Sequence, residues 1–171
     1  MKLHRIILAT AITALTFSTF IPVAIARSIS TEDFVRQASI ANEFEIESSK
    51  LALEKSQNKD VKGFAETMIE NHTKTGEDLK AALQSSKSGL KIEDKLDGKH
   101  QKLMNTLQAL STDDFNKKYV SIQTDAHREA VGLFSDYASN GQDAVLKQFA
   151  SVTLPGLKEH LKHVKEIKIT Q

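Results

Sequence analysis

Six histidines and 22 acidic side chains are the strong metal-ligating groups of this 171-residue chain, which contains no cysteine. The missing thiols exclude a disulfide, a thiol nucleophile, an iron–sulfur cluster, thiolate zinc and the Cys-x-x-Cys-His attachment of haem. Four of the remaining groups stand where a helical repeat of about 100° per residue calls for apolar side chains. Glu45 lies near the centre of the stripe Phe34, Ala38, Ala41, Ser48, Ser49 and Ala52. His72 is central to the face Val61, Ala65, Met68, Ile69 and Leu79. His160 falls within about 50° of an apolar centre, and His127 flanks the Ile122, Ala126, Ala130 stripe on the side widened by Val131 and Phe134. A buried, unpaired carboxylate is costly, so Glu45 needs a cation, a donor or a proton. Three imidazoles and one carboxylate suit a transition metal such as Zn, Fe, Mn or Cu. The same four groups could instead form a Glu/His hydrogen-bond network that holds helix register without metal, and the spacing leaves both readings open.

The other polar candidates are weaker. His163 follows His160 by three residues, but its phase points away from the core, and His100 sits in a polar stretch that reads as exposed. Glu66, Glu70 and Asp125 neighbour the candidate histidines and could orient them through hydrogen bonds, although solvated helix faces explain them equally well. Di-iron bundles pair each histidine ligand with a glutamate three residues earlier. Here those positions hold Ile69, Thr124 and Leu157, which argues against ferroxidase chemistry and leaves a mononuclear site. No catalytic constellation stands out, so the reading is a binding or structural protein rather than an enzyme. A metal-dependent oxidoreductase or hydrolase would require an open coordination position and a water path.

Long amphipathic segments must position these groups. The first is capped at Ser30 or Thr31, carries Glu32 and Asp33 where the helix dipole favours negative charge, and runs without proline or glycine from Phe34 to the break at Gln57-Asn58-Lys59-Asp60. Asp60 is placed to cap a second, which continues to about Ser85 and ends in Ser85-Ser86-Lys87-Ser88-Gly89. Leu90 to Leu110 reads as a long polar connection containing one short helix. Ser111-Thr112-Asp113-Asp114 opens a third long segment, ended by Asn140-Gly141. The last carries Leu146, Phe149, Leu157, Leu161 and Val164, with Pro155-Gly156 expected to kink or restart it. Four long helices, two short turns and a long link between the second and third predict an all-α four-helix bundle with a ferritin-like crossover.

Composition agrees: 40% hydrophobic and 26% charged residues describe a globular domain, while two prolines, 6% aromatics and no tryptophan disfavour sandwiches and barrels. Lys2 and Arg5, the uncharged run Ile6 to Ile25 and Ala24-Ile25-Ala26 read as a cleavable export signal over 1–26, leaving a domain over 27–171. The polar Thr10, Thr13, Thr16, Ser18, Thr19 and Pro22 make that run a poor membrane anchor. The expected location is periplasmic or secreted. A formal charge near zero, with no basic cluster interleaved with aromatics, sets nucleic acid aside.

Three segments carry a resemblance: FVRQASIANEFEIESSKLALEKSQNKDVKGFAETMIENHTK, QTDAHREAVGLF and LKQFASVTLPGLKEHLKHVKEI. Together they resemble the exported bacterial domain-of-unknown-function family 4142 (DUF4142), described as outer-membrane or periplasmic, over about Thr31 to Ile167. The resemblance implies a ferritin-like fold, recurring polar positions at Glu45, His72, His127 and His160, and no assigned activity. Where the family carries Asp-His, this chain has Asn71-His72.

Overall fold

The computed structural model describes residues 29–169, so the proposed export signal lies outside the described residues. Five helices follow in order: α1 (Thr31–Lys55), α2 (Lys59–Ser86), α3 (Gly98–Ala109), α4 (Thr112–Asn140) and α5 (Ala144–Glu166). The described residues contain no strand. The protein is all-α, as its periodicity predicts, and α3 is the short helix inside the long connection.

Local chemistry sets most boundaries as read, with corrections. Ser30 caps α1, its Oγ accepting from the Asp33 amide at 3.0 Å. The cap of α2 is Asn58 rather than Asp60: Asn58 Oδ1 accepts from the amides of both Asp60 and Val61, leaving Asp60 inside the first turn. Ser111 occupies the cap position of α4 without capping through its side chain, and donates to Asp114 Oδ2 instead. Pro155 does not restart the last helix, which continues unbroken through it. Ser151, Val152, Pro155 and Gly156 are all exposed, so water can satisfy the carbonyl that the proline leaves without a donor.

The long helices pack in the ring α1–α2–α5–α4. Near the start of α1, Thr31 Oγ1 accepts from the Tyr137 hydroxyl at the far end of α4 at 2.9 Å. Near the other end, Ser49 meets Tyr119 at 2.8 Å, so α1 and α4 are antiparallel. With short turns joining α1 to α2 and α4 to α5, every neighbouring pair is antiparallel and the diagonal pairs are parallel. The long connection makes this possible by returning the chain along the molecule before α4 begins.

Two apolar clusters fill the interior. One contains Phe44, Phe64, Met68, Phe115, Tyr119 and Val164, and the other Phe34, Leu79, Phe134, Tyr137, Phe149 and Leu157. Between them, near the middle of α1, α2 and α4 and in the last third of α5, lies a layer of buried polar residues.

Candidate metal centre

Each long helix contributes one residue to that layer. Glu45 comes from α1, His72 from α2, His127 from α4 and His160 from α5, and all four are buried. His127 lies deeper than a flanking position suggests, at 1% exposure. Its Nδ1–H donates to the Gln123 carbonyl one turn earlier at 3.0 Å, which ties the ring against its own helix inside the core.

The three histidines converge. Each offers a ring nitrogen, and these nitrogens lie within 4.8 Å of one another. Ring centroids are 5.7 Å apart for His72 and His127, 5.5 Å for His72 and His160, and 5.4 Å for His127 and His160. Glu45 stands beside the group, its Oε1 at 3.8 Å from His127 Nδ1.

The partners of the outer ring nitrogens determine what the inner ones can do. His72 Nδ1 donates to Asn42 Oδ1 at 3.0 Å and His127 Nδ1 to a backbone carbonyl, so each neutral ring keeps an unshared electron pair on Nε2. His160 Nε2 faces the Asn71 side-chain amide at 2.9 Å. Asn71 Nδ2 is the atom placed there and it donates to Nε2, so ligation through Nδ1 requires the Asn71 amide to turn over, its carbonyl then accepting from Nε2–H while the pair stands on Nδ1. The nitrogens left without a partner are His72 Nε2, His127 Nε2 and His160 Nδ1, joined by Glu45 Oε2.

Electrostatics keep the layer neutral. Burial, and then the charges that His127 and His160 would carry, hold the His72 imidazole well below its usual range. Burial lowers His127 to about 4 against its bond to the Gln123 carbonyl. Burial and the neighbouring His127 and His163 rings lower His160 to about 4. Burial pushes the Glu45 carboxyl up to about 8, with the Gln123 amide and the His100 ring pulling the other way. At neutral pH three imidazole bases therefore surround a small space beside a carboxyl that holds its proton. Such bases are the form in which histidine ligates metals.

The donor set fits a transition-metal ion. Metal–nitrogen bonds of about 2.0–2.1 Å in a tetrahedron place the nitrogens roughly 3.4 Å apart. The observed spacing closes to that with ring movements on the order of an ångström.

The other candidates fall elsewhere. His163 is exposed, as its phase predicts, with its ring edge-on to Phe64. His100 is half-buried rather than exposed: Nδ1 lies 2.7 Å from Asp97 Oδ1 and the ring packs 5.1 Å from Phe44. The signal for this was the i, i+3 pair Asp97 and His100, whose aspartate caps α3. Glu66 and Glu70 are solvated, and Asp125 pairs with Arg128 at the surface. The groups that orient the histidines are instead Asn42, Asn71 and the Gln123 carbonyl. Asn71 adjoins His72 in sequence but serves His160 across the α2–α5 seam.

The family model described as "Domain of unknown function (DUF4142)" matches residues 22–167. No curated protein and no solved structure matches the chain.

Proposed function

We propose, for a chain that belongs to the DUF4142 family, that it is an exported, ferritin-like helical bundle which binds one transition-metal ion through His72, His127 and His160. Glu45 supplies a carboxylate on the remaining side once the ion's charge displaces its proton. The observation that carries this reading is the set of three buried ring nitrogens that face one another without partners. Buried polar atoms are nearly always satisfied, and a shared cation would satisfy all three at once. The alternative, a metal-free hydrogen-bond network in an envelope protein, needs direct bonds among these groups or a water that bridges them. The ionisable contact nearest to one, Glu45 to His127, is 3.8 Å.

The antiparallel ring with its long second connection supports the ferritin-like part of the reading. For location, we take 1–26 as a removable export signal and 27–171 as the working domain, periplasmic or secreted, with outer-membrane association as an extension that rests on the sequence resemblance alone. Among the described residues no helix is long and apolar enough to cross a membrane.

Thermal melting of metal-free wild type and His72→Ala, each with and without zinc, manganese and iron, tests the reading. A ligand that binds only the folded state raises stability by about 2.7 kcal/mol at 100 times its Kd. Wild type is expected to melt higher with at least one metal, and His72→Ala to lose that increment. Equal melting temperatures for wild type under every condition would defeat the metal reading and leave the structural one.

A further inference from the structure

The metal-site reading requires a way in, because the ligands sit in the middle of a packed core. Two cavities meet at Glu45. The inner one, about 20 Å³, is bounded by Glu45, His72 and His127, and has room for roughly one water or ion. The outer one, about 250 Å³, lies between α1, α3 and α4, and is lined by Arg36, Phe44, Asp97, Lys99, His100 and Glu129 among others. Four residues belong to both walls: Ala41, Glu45, Ala126 and Ala130. They form two i, i+4 pairs that face each other across the α1–α4 seam, and three of the four are alanines. Glu45 is 4% exposed, and its Oε2 has no partner.

We infer that this seam is the passage by which a hydrated divalent cation reaches His72 and His127, the two histidines that line the inner cavity, and through them His160, with Glu45 releasing its proton to water as it receives the ion from the outer cavity. The outer space is large enough for a cation with several waters and the inner one is not, so dehydration takes place at the alanine window. Glu45 is the acidic side chain common to both cavities. The rim cations do not oppose the passage strongly, because Arg36 is paired with Asp33 at 2.8 Å and Lys99 with Glu129 at 2.5 Å. Asp97 adds a carboxylate held below its usual range, its partial burial acting against this and the hydrogen bonds from the His100 backbone and ring together outweighing it. The groove between α1 and α2, bounded by Asn42, Thr73 and Gly76, shares Asn42 alone with the inner cavity and is lined by no imidazole. This inference rests on the metal reading and adds a route to it.

The absence of native cysteine makes the window directly testable. In Ala126→Cys, a residue close in size to alanine lets the protein fold first. Treatment with methyl methanethiosulfonate then fills the window, and removal of the group with a reductant, itself removed before assay, reopens it. Loading of the metal-free protein with Co²⁺ is followed by its visible absorption in stopped flow. Labelling is expected to slow loading at least tenfold, with full recovery on reduction and one Co²⁺ bound per chain at equilibrium in every state. A rate within twofold of the unlabelled protein overturns the passage while leaving the metal site intact. A thiol that the reagent cannot reach in the folded protein also counts against it. If the unlabelled protein binds no Co²⁺ at all, the metal reading itself has failed and the route falls with it. Thr73→Leu, at the mouth of the other groove, is expected to load at the wild-type rate. Slowing there as severe as in labelled Ala126→Cys would reassign the passage.

Discussion

Asn42 holds His72 as the Gln123 carbonyl holds His127, by accepting the proton of the outer ring nitrogen so that the inner one presents an electron pair. Gly76 leaves room for it, because a Cβ there would come within 3.1 Å of Asn42 Nδ2. Asn42→Ala removes the acceptor and leaves Nδ1 of the buried His72 without a partner. Such outer partners typically affect metal affinity by about 10–100-fold. Asn42→Ala is therefore expected to weaken zinc binding by that order in competition with a chromophoric chelator. The metal-free protein is expected to lose about 1–3 kcal/mol. Unchanged affinity would show that the ring is oriented by packing alone.

Among the elements, α3 is held at its C-terminal end by one side chain from another helix. At its end the Leu107 carbonyl accepts from the Leu110 amide at 3.4 Å, and Lys55 at the end of α1 reaches across to the carbonyls of Leu107, Gln108 and Leu110 at 3.4, 2.5 and 2.8 Å. Lys55→Met keeps an unbranched apolar side chain and removes the donor together with the ammonium 5.8 Å from the Phe115 ring centroid. It is expected to cost about 1–3 kcal/mol and to speed amide exchange first across 98–109. A uniform change along the chain would argue against this local clamp. The turn from α4 to α5 depends on a different constraint. Gly141 has an ordinary φ of −58°, so a left-handed backbone is not what selects glycine. A Cβ there would stand 2.6 Å from the Tyr137 carbonyl and 2.7 Å from its ring, and that ring is stacked on Phe34 at 3.9 Å. Gly141→Ala must move backbone or ring, and is expected to destabilise by roughly 1–3 kcal/mol in urea unfolding. A neutral result would mean the turn relaxes freely.

For the whole molecule, the polar layer ties stability to pH in two opposing ways. The histidines, near 6.5 when unfolded, stay neutral in the fold down to about 4 for His127 and His160, and His72 is also lowered. The unfolded chain therefore binds more protons as pH falls below 6.5, and stability is lost from there toward 4. Glu45 runs the other way. Its folded carboxyl keeps its proton to about 8 against 4.5 unfolded, so its contribution is full below 4.5 and is lost as pH rises toward 8. Three groups outweigh one on the acid side. Metal-free protein should thus gain stability from pH 4 to about 6.5 and decline gently toward pH 8. Urea midpoints across this range check the curve, and Glu45→Gln should remove the alkaline decline. A wild-type curve flat from pH 4 to 6.5 would mean the imidazoles are not held neutral.

The amino-acid sequence by itself determined the helices and the four polar positions, because both follow from periodicity, and periodicity is local. Residues three or four apart share a face whatever the rest of the chain does, so Glu45, His72 and His160 stood out among apolar neighbours without knowledge of any partner. The same locality explains the errors. Asn58 and Asp60 are both good caps, and only the observed hydrogen bonds choose between them. His127 looked peripheral because a helical wheel sees one helix, whereas its depth depends on the Gln123 carbonyl and on the rings of His72 and His160 opposite. His100 looked exposed because its neighbours in sequence are polar, while its neighbours in space are Asp97 and Phe44. Only the tertiary structure decided that three histidines meet and that Glu45 stands between two cavities beside them. It also decided that Asn42 and Asn71, rather than Glu66, Glu70 or Asp125, orient the rings. These facts depend on how four helices are rotated and offset against one another. That is set by packing summed over the whole core, and no short stretch of sequence contains it.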